Sequence, residues 1–212
     1  MKKNIVLFVL FVLPIVAYLF FASGVNSFIQ LPVITPKVKE FGNWRDLDGN
    51  RLVLNGKITV LGFGGHDLFK NRGNLFNLNQ KIYERYHKFN DLQFVYVCPL
   101  GTEHIAADLK KQFSGITDVS DLHFVFAPDS EIVSFYDGLQ VKGKLGPELS
   151  TPNVFLIDKK MQLRGRTGDE YKESYNTFHP SEVSNELLDD FKILLYEYRA
   201  AFKRNLPSNE TK

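Results

Sequence analysis

Three short apolar runs, "KITVLGFG", "DLQFVYVCP" and "LHFVFAP", constrain what this chain can fold into more than any other feature. Each is rich in β-branched and aromatic residues and is bounded by turn residues or proline. Such runs read as strands buried on both faces. Between the first two lies "NLFNLNQKIYERYHKF", with Leu75, Leu78, Ile82, Tyr86 and Phe89 three or four residues apart, a helical period. Between the second and third lies "EHIAADLKKQF", which Thr102 is placed to cap. Strand, helix and strand in alternation demand a parallel sheet, because a helix must carry the chain back to the starting edge.

The rest of the chain completes an α/β domain. "DSEIVSFYDGL" is a short helix begun by Asp129 or Ser130, and "TPNVFLID" and "MQLRGRTG" form a hairpin turning at Lys159-Lys160. A long helix starts at Ser181, with Val183, Leu187, Phe191, Leu194, Leu195, Tyr198 and Phe202 in one apolar stripe. In front of the first buried strand, a turn at Asp48-Gly49, a short strand and a Gly56-Lys57 turn suggest a small hairpin. The expected order is β-α-β-α-β-α-β-β-α. With 212 residues, 44% hydrophobic and 14% aromatic, the chain suffices for one such domain. A formal net charge of +2 without single-sign runs gives no electrostatic case for nucleic acid.

The N-terminus carries a different signal. Lys2 and Lys3 precede an uncharged apolar run over residues 5–22, the length of a membrane-spanning helix. The lysines would hold the N-terminus in the cytoplasm, which makes the chain a single-pass membrane protein with its domain outside. A secretory signal cleaved near Ala22-Ser23-Gly24 is the alternative. The expected division is a membrane anchor over 1–24, an extended linker over 25–40, the domain over 41–205 and a disordered tail over 206–212. Cys98 is the only cysteine, so no internal disulfide can form; it is either a small buried hydrophobe or a free thiol or metal ligand.

Three stretches, "LDGNRLVLNGKITVLGFG", "FVYVCPLGTE" and "TPNVFLIDKKMQLRGR", resemble the Sco family of the thioredoxin-like superfamily, membrane-anchored copper-binding proteins of cytochrome oxidase assembly. The resemblance covers about 41–204 and implies a thioredoxin-like fold, a mixed central sheet flanked by helices. It also implies a Cys-x-x-x-Cys pair at the start of the first helix, where Asp67 and Asn71 fall, and a metal-binding histidine before the late hairpin, where the chain reads "GPELSTPN". Neither is present. Disulfide exchange needs an attacking thiolate and a resolving partner, and copper(I) favours soft sulfur ligands.

"GFGGHDLFKNRG" is therefore the stretch to weigh. Asp67 stands at the third glycine of a dinucleotide fingerprint and no Walker lysine follows, so the glycines serve a sharp turn. In a thioredoxin fold, His66 and Asp67 would stand beside the strand ending at Cys98, near Pro152, which resembles that fold's cis-proline. Two functions follow from this arrangement. One is a redox-inactive binding or assembly module for another membrane or envelope protein, recognising it through His66, Asp67, Arg72 and Pro152, or through the aromatic loop of Tyr171, Tyr175 and Phe178. The alternative is a copper or thiol site rebuilt around Cys98 with His66 or His104. Cys-His nucleophilic catalysis would also need an oxyanion hole and an orienting group, which nothing in the sequence specifies. His87, His123 and His179 are scattered over separate elements and read as ordinary residues.

Overall fold

The computed structural model describes residues 8, 10–16, 18, 30–89 and 91–205, with side chains as far as 199. The predicted tail over 206–212 lies outside them, as does much of the apolar run over 5–22, of which residues 10–16 are helical. Among the described residues no helix is long and apolar enough to cross a membrane.

The three buried runs are β3 (Ile58–Gly64), β4 (Leu92–Pro99) and β5 (Leu122–Ala127), paired in parallel. Two very short strands precede them, β1 (Val33–Thr35) and β2 (Arg45–Asp46). The closing hairpin is β6 (Ser150–Ile157) with β7 (Leu163–Arg164), and β8 (Tyr175–Asn176) adds to β6. The sheet order is β1-β7-β6-β3-β4-β5-β2, and every pairing outside the central three strands is antiparallel.

Helix α1 runs from Arg72–Leu78 through a π-helical turn, Asn79–Tyr83, to Glu84–Tyr86. Helices α2 (Glu103–Ser114) and α3 (Asp129–Asp137) follow the next two strands. The last helix, α4, comprises Pro180–Glu182, a π-helical turn at Val183–Leu187, and Leu188–Asn205.

Side-chain alternation along the strands divides the core into two layers. Val60, Phe94, Tyr96, Phe124 and Leu156 face α1, α2 and α4, and meet their Ile82, Phe113, Leu187 and Phe191. Leu61, Phe63, Val95, Val125 and Phe155 face the opposite way, toward Ile132, Phe135 and Tyr136 of α3 and toward Phe41 and Trp44. Aromatic edges fit together there: the Phe63 ring meets Tyr136 and Phe155 edge-on at 5.1 and 6.0 Å.

The expected strand before the Gly56-Lys57 turn does not form; residues 51–54 take no strand pairing. Their backbone groups are satisfied by side chains instead of a ladder. The Glu40 carboxylate accepts from Leu54 N and Asn55 N at 2.7 and 3.2 Å, and Gln93 Nε2 donates to Val53 O at 2.9 Å. The short strand nearby, β2, pairs with β5 at the sheet edge. The stretch over 25–40 is extended where it is described, but from Leu31 onward it is part of the domain rather than a linker. Leu31, Thr35 and Val38 are buried, and β1 pairs with β7.

At the β2 edge, His123 is half-buried, and its Nδ1 has no hydrogen-bond partner although Asp46 Oδ2 lies 3.7 Å away. Burial, helped by Lys110, pushes its pKa down against the opposing charges of Asp46, Asp121 and Asp48. The folded protein thus holds this imidazole neutral where the unfolded chain would protonate it. Its contribution to stability is complete above the unfolded value near 6.5 and declines as pH falls below it. Thermal melts across pH 7.5 to 5 should therefore slope downward in acid, and His123→Gln should flatten the slope; an unchanged slope would remove His123 from the account.

Candidate functional site

The carboxyl ends of β3 and β4, the start of β6 and the beginnings of α1 and α3 meet at one pole of the sheet, where α/β folds place their ligands. Strand β3 ends at Gly64, and Gly65 turns the chain with φ +66°. His66 N then donates to Glu148 O at 2.8 Å, tying this corner to the loop before β6. That loop closes on itself through Gly146 N to Ser150 O at 2.9 Å, and Ser150 sits opposite Gly64 in the ladder. The two chain segments that hold cysteines and histidine in the Sco pattern are thus neighbours here, without those residues.

Asp67 and Asn71, which the Sco resemblance sets within a residue or so of the cysteine pair, are bonded to each other: Asn71 Nδ2 donates to Asp67 Oδ1 at 2.8 Å. Lys70 N and Asn71 N both donate to Asp67 O, which winds the turn before α1. Arg72 folds back to donate to Phe69 O at 2.9 Å, with its guanidinium 4.2 Å from the centre of the Phe69 ring. Phe69 is about half exposed, and a groove runs from it along Ile105, Asp108, Lys111 and Gln112 of α2. Its role was not apparent from the sequence, because a single phenylalanine in a polar loop has no period to betray which way it faces.

Pro152 is exposed two residues beyond the corner, where the β3–β6 register jumps from Phe63↔Thr151 to Leu61↔Phe155. A bulge spares the ladder the N–H that proline lacks. The Thr151–Pro152 peptide is trans, which corrects the likeness to a cis-proline. Pro152 O accepts from both Thr177 N and Thr177 Oγ1, at 2.9 and 2.7 Å.

Cys98, His66 and His104 do not converge. The Cys98 side chain is fully buried in the layer under α1, α2 and α4. A Cβ added to Gly64 would lie 2.9 Å from its Sγ and 2.7 Å from Leu68 Cδ1, so Leu68, also fully buried, seals the sulfur from the turn above. Burial pushes the thiol pKa well above its usual value; a hydrogen bond from the Gly64 backbone opposes this, and the Glu103 charge adds to it. His66 bonds instead to Asp129 Oδ2 at 3.1 Å, at the start of α3 on the other face of the sheet. His104 is exposed on α2. Among the described residues no group of three His, Cys, Asp or Glu is placed to hold a metal ion. The donor set, one sealed thiol and two separated imidazoles, does not fit a copper site of the Sco kind. A nucleophilic cysteine needs an accessible thiolate, and Cys98 offers neither access nor charge. In native protein it should therefore resist a thiol reagent for as long as the fold holds and react fully in denaturant; rapid native labelling would contradict this burial.

The aromatic loop is mostly occupied by internal contacts. Tyr175 is fully buried, and its hydroxyl donates to Asp190 Oδ2 at 2.6 Å, a carboxylate that Arg166 Nε also reaches at 2.7 Å. Tyr171 OH donates to Glu173 Oε2 at 2.7 Å under the Lys142 ammonium, leaving Phe178 as the loop's most exposed aromatic residue. His87 is buried, stacked on Tyr83 with ring centres 5.2 Å apart.

No protein-family model matches the chain, and no curated protein is similar to it in sequence. Solved structures are similar to it. The thiol:disulfide interchange protein of the thioredoxin family from Chlorobium tepidum superimposes with a TM-score of 0.50 at 16% identity, over 77% of this chain and 99% of that one. The chain thus has a thioredoxin-like fold. Within that fold it resembles the Sco proteins. BsSco, described as a member of the Sco family of cytochrome c oxidase assembly proteins with a disulfide switch, superimposes with a TM-score of 0.54 at 14% identity, over 78% and 97% of the two chains. Yeast Sco1 does so with 0.51 at 13% identity, over 74% and 98%. With one cysteine in its whole sequence, this chain lacks the Cys-x-x-x-Cys pair.

Proposed function

We propose that this protein is a membrane-tethered, extracytoplasmic thioredoxin-like domain that binds another membrane or envelope protein without dithiol chemistry of its own. The observation that carries the reading is the Asp67–Asn71 hydrogen bond. It spans the positions of the missing cysteine pair and keeps the corner folded with groups that cannot exchange electrons. The corner presents His66, Arg72, Phe69 and Pro152 to solvent with Asp67 half-buried among them, a mixture of ring, guanidinium and polar groups suited to a protein partner. The tether rests on Lys2 and Lys3 ahead of the apolar run, and on the absence of any lysine or arginine over residues 23–36.

Purification from membranes through a tag after Lys212 tests the reading directly. A His66/Asp67/Arg72 triple alanine variant should fold, the exposed His66 and Arg72 costing no more than the surface norm of about 0.5 kcal/mol each and Asp67, which loses its hydrogen bond from Asn71, about 1 kcal/mol. It should also lose the co-purifying partner. A variant that kept every partner would make the corner structural alone and turn attention to the loop carrying Phe178.

A further inference from the structure

We infer that the pole opposite this corner is a seat for an anionic lipid bilayer, so that the tethered domain stands with its recognition corner facing away from the membrane. The inference rests on the tether proposed above and adds an orientation to it. Its first support is where the chain enters the fold. Leu31 is held at both ends of its peptide: its N–H donates to Glu197 Oε1 at 2.5 Å, and its carbonyl accepts from Arg164 Nε at 2.8 Å. Arg164 in turn donates to Asp158 Oδ2 at 2.7 Å, at the β6–β7 turn. The chain leading in from the apolar run is therefore clamped beside that turn.

The second support is charge. Lys159 and Lys160 form the same turn, and Gly56 N donates to Lys159 O at 2.9 Å, which brings Lys57 alongside. Ile58 N donates to Asp91 O at 2.7 Å, which adds the loop carrying Lys88. Arg199 of α4 lies over Phe89, 4.7 Å from the ring centre, and Lys203 and Arg204 follow it in sequence. The acidic groups at this pole are mostly committed inside the fold: Glu40 accepts from Leu54 N and Asn55 N, and Asp158 and Glu197 pair with Arg164. Asp91 pairs with Lys159 at 2.5 Å, and Asp118, held below the usual carboxylate range by hydrogen bonds from Ser120, lies further along toward β5. The opposite corner mixes Asp67, Glu103, Asp129 and Glu148 with its basic residues, so an anionic surface attracts the first pole and gains little at the second.

The test uses the full chain reconstituted in phosphatidylcholine vesicles with or without phosphatidylglycerol, headgroups carrying an acceptor dye. A donor dye is attached through Asn55→Cys at the basic pole or Phe69→Cys at the corner, since buried Cys98 does not compete. Energy transfer from position 55 should exceed that from position 69 several-fold when phosphatidylglycerol is present. High salt, or the charge-reversed Lys88→Glu/Lys160→Glu/Arg199→Glu chain with an unchanged circular dichroism spectrum, should shrink that difference. Equal transfer from both positions, or a difference indifferent to charge, would overturn the inference. An alkaline wash followed by flotation separates the two readings. A chain that stays with the vesicles but shows no preferred pole keeps the tether and loses the seat. One that washes off yet binds anionic vesicles through position 55 keeps the seat and loses the tether, and one that does neither loses both.

Discussion

Gly65→Val should destabilise the domain by about 3–5 kcal/mol, enough to leave much of a marginally stable protein unfolded. Two separate costs combine. Gly65 has φ +66°, where a β-branched residue is strained. A Cβ there would also lie 2.3 Å from Glu148 O and 2.6 Å from Ser150 Cβ, both held in place by the ladder and the Gly146–Ser150 closure. Two comparisons divide the costs. Gly65→Asn tolerates the backbone angle but still meets the Glu148 carbonyl, so it should remain strongly destabilised. Gly49→Ala has a similar φ, +77°, and nothing within 4 Å, so it should lose only about 1 kcal/mol. Urea midpoints measure all three, and a Gly65→Asn variant as stable as the parent would show that the loop before β6 can move aside.

Arg164→Leu should cost a similar amount, about 3–5 kcal/mol, for an electrostatic reason. Its guanidinium donates to Asp158 Oδ2 and to Glu197 Oε2, each at 2.7 Å, and Asp158 is fully buried. Burial disfavours the charged guanidinium, but Glu197 and Asp158 outweigh it and raise its pKa further. Removing the cation alone leaves a buried carboxylate whose other oxygen is committed to Lys160 N and Gln162 N. Arg164→Lys should recover only part of the loss, because an ammonium cannot bond to Leu31 O, Asp158 and Glu197 in one plane. Hydrogen exchange adds a local readout: β1 should lose protection first, since Arg164 also holds Leu31 beside it. A variant with native stability and a protected β1 would show that the pair contributes nothing net.

The central architecture was legible because it is written in periods. Unbroken apolar runs marked β3, β4 and β5, spacings of three and four marked the helices, and Lys159-Lys160 marked the hairpin, where the Asp158 carboxylate accepts from Lys160 N and Gln162 N. The two- and three-residue strands β1, β2 and β8 were not legible, since each exists only by pairing with a partner far along the chain. Residues 51–54 look like a strand until Glu40 and Gln93 are seen to satisfy their backbone. At the candidate site, the places of Asp67 and Asn71 were legible through the Sco resemblance, but the hydrogen bond between them was not. The separation of His66 from Cys98 was not legible either. It depends on how Gly65 redirects the chain after β3, a single dihedral that no pattern of residue types encodes.

The clasp between Asp67 and Asn71 also fixes how such a protein behaves in time. A cysteine pair at that spacing makes a protein with two covalent states, and its shape then reports the potential of its surroundings. A carboxylate accepting from an amide has no second covalent state, and with Cys98 sealed beneath Leu68 nothing nearby can supply one. An oxidant or a thiol buffer that would reset a disulfide-bearing relative leaves this surface as it was. Under the proposed function, a partner docking there would meet the same face in an oxidising and in a reducing medium, and control over the encounter would pass from redox chemistry to concentration.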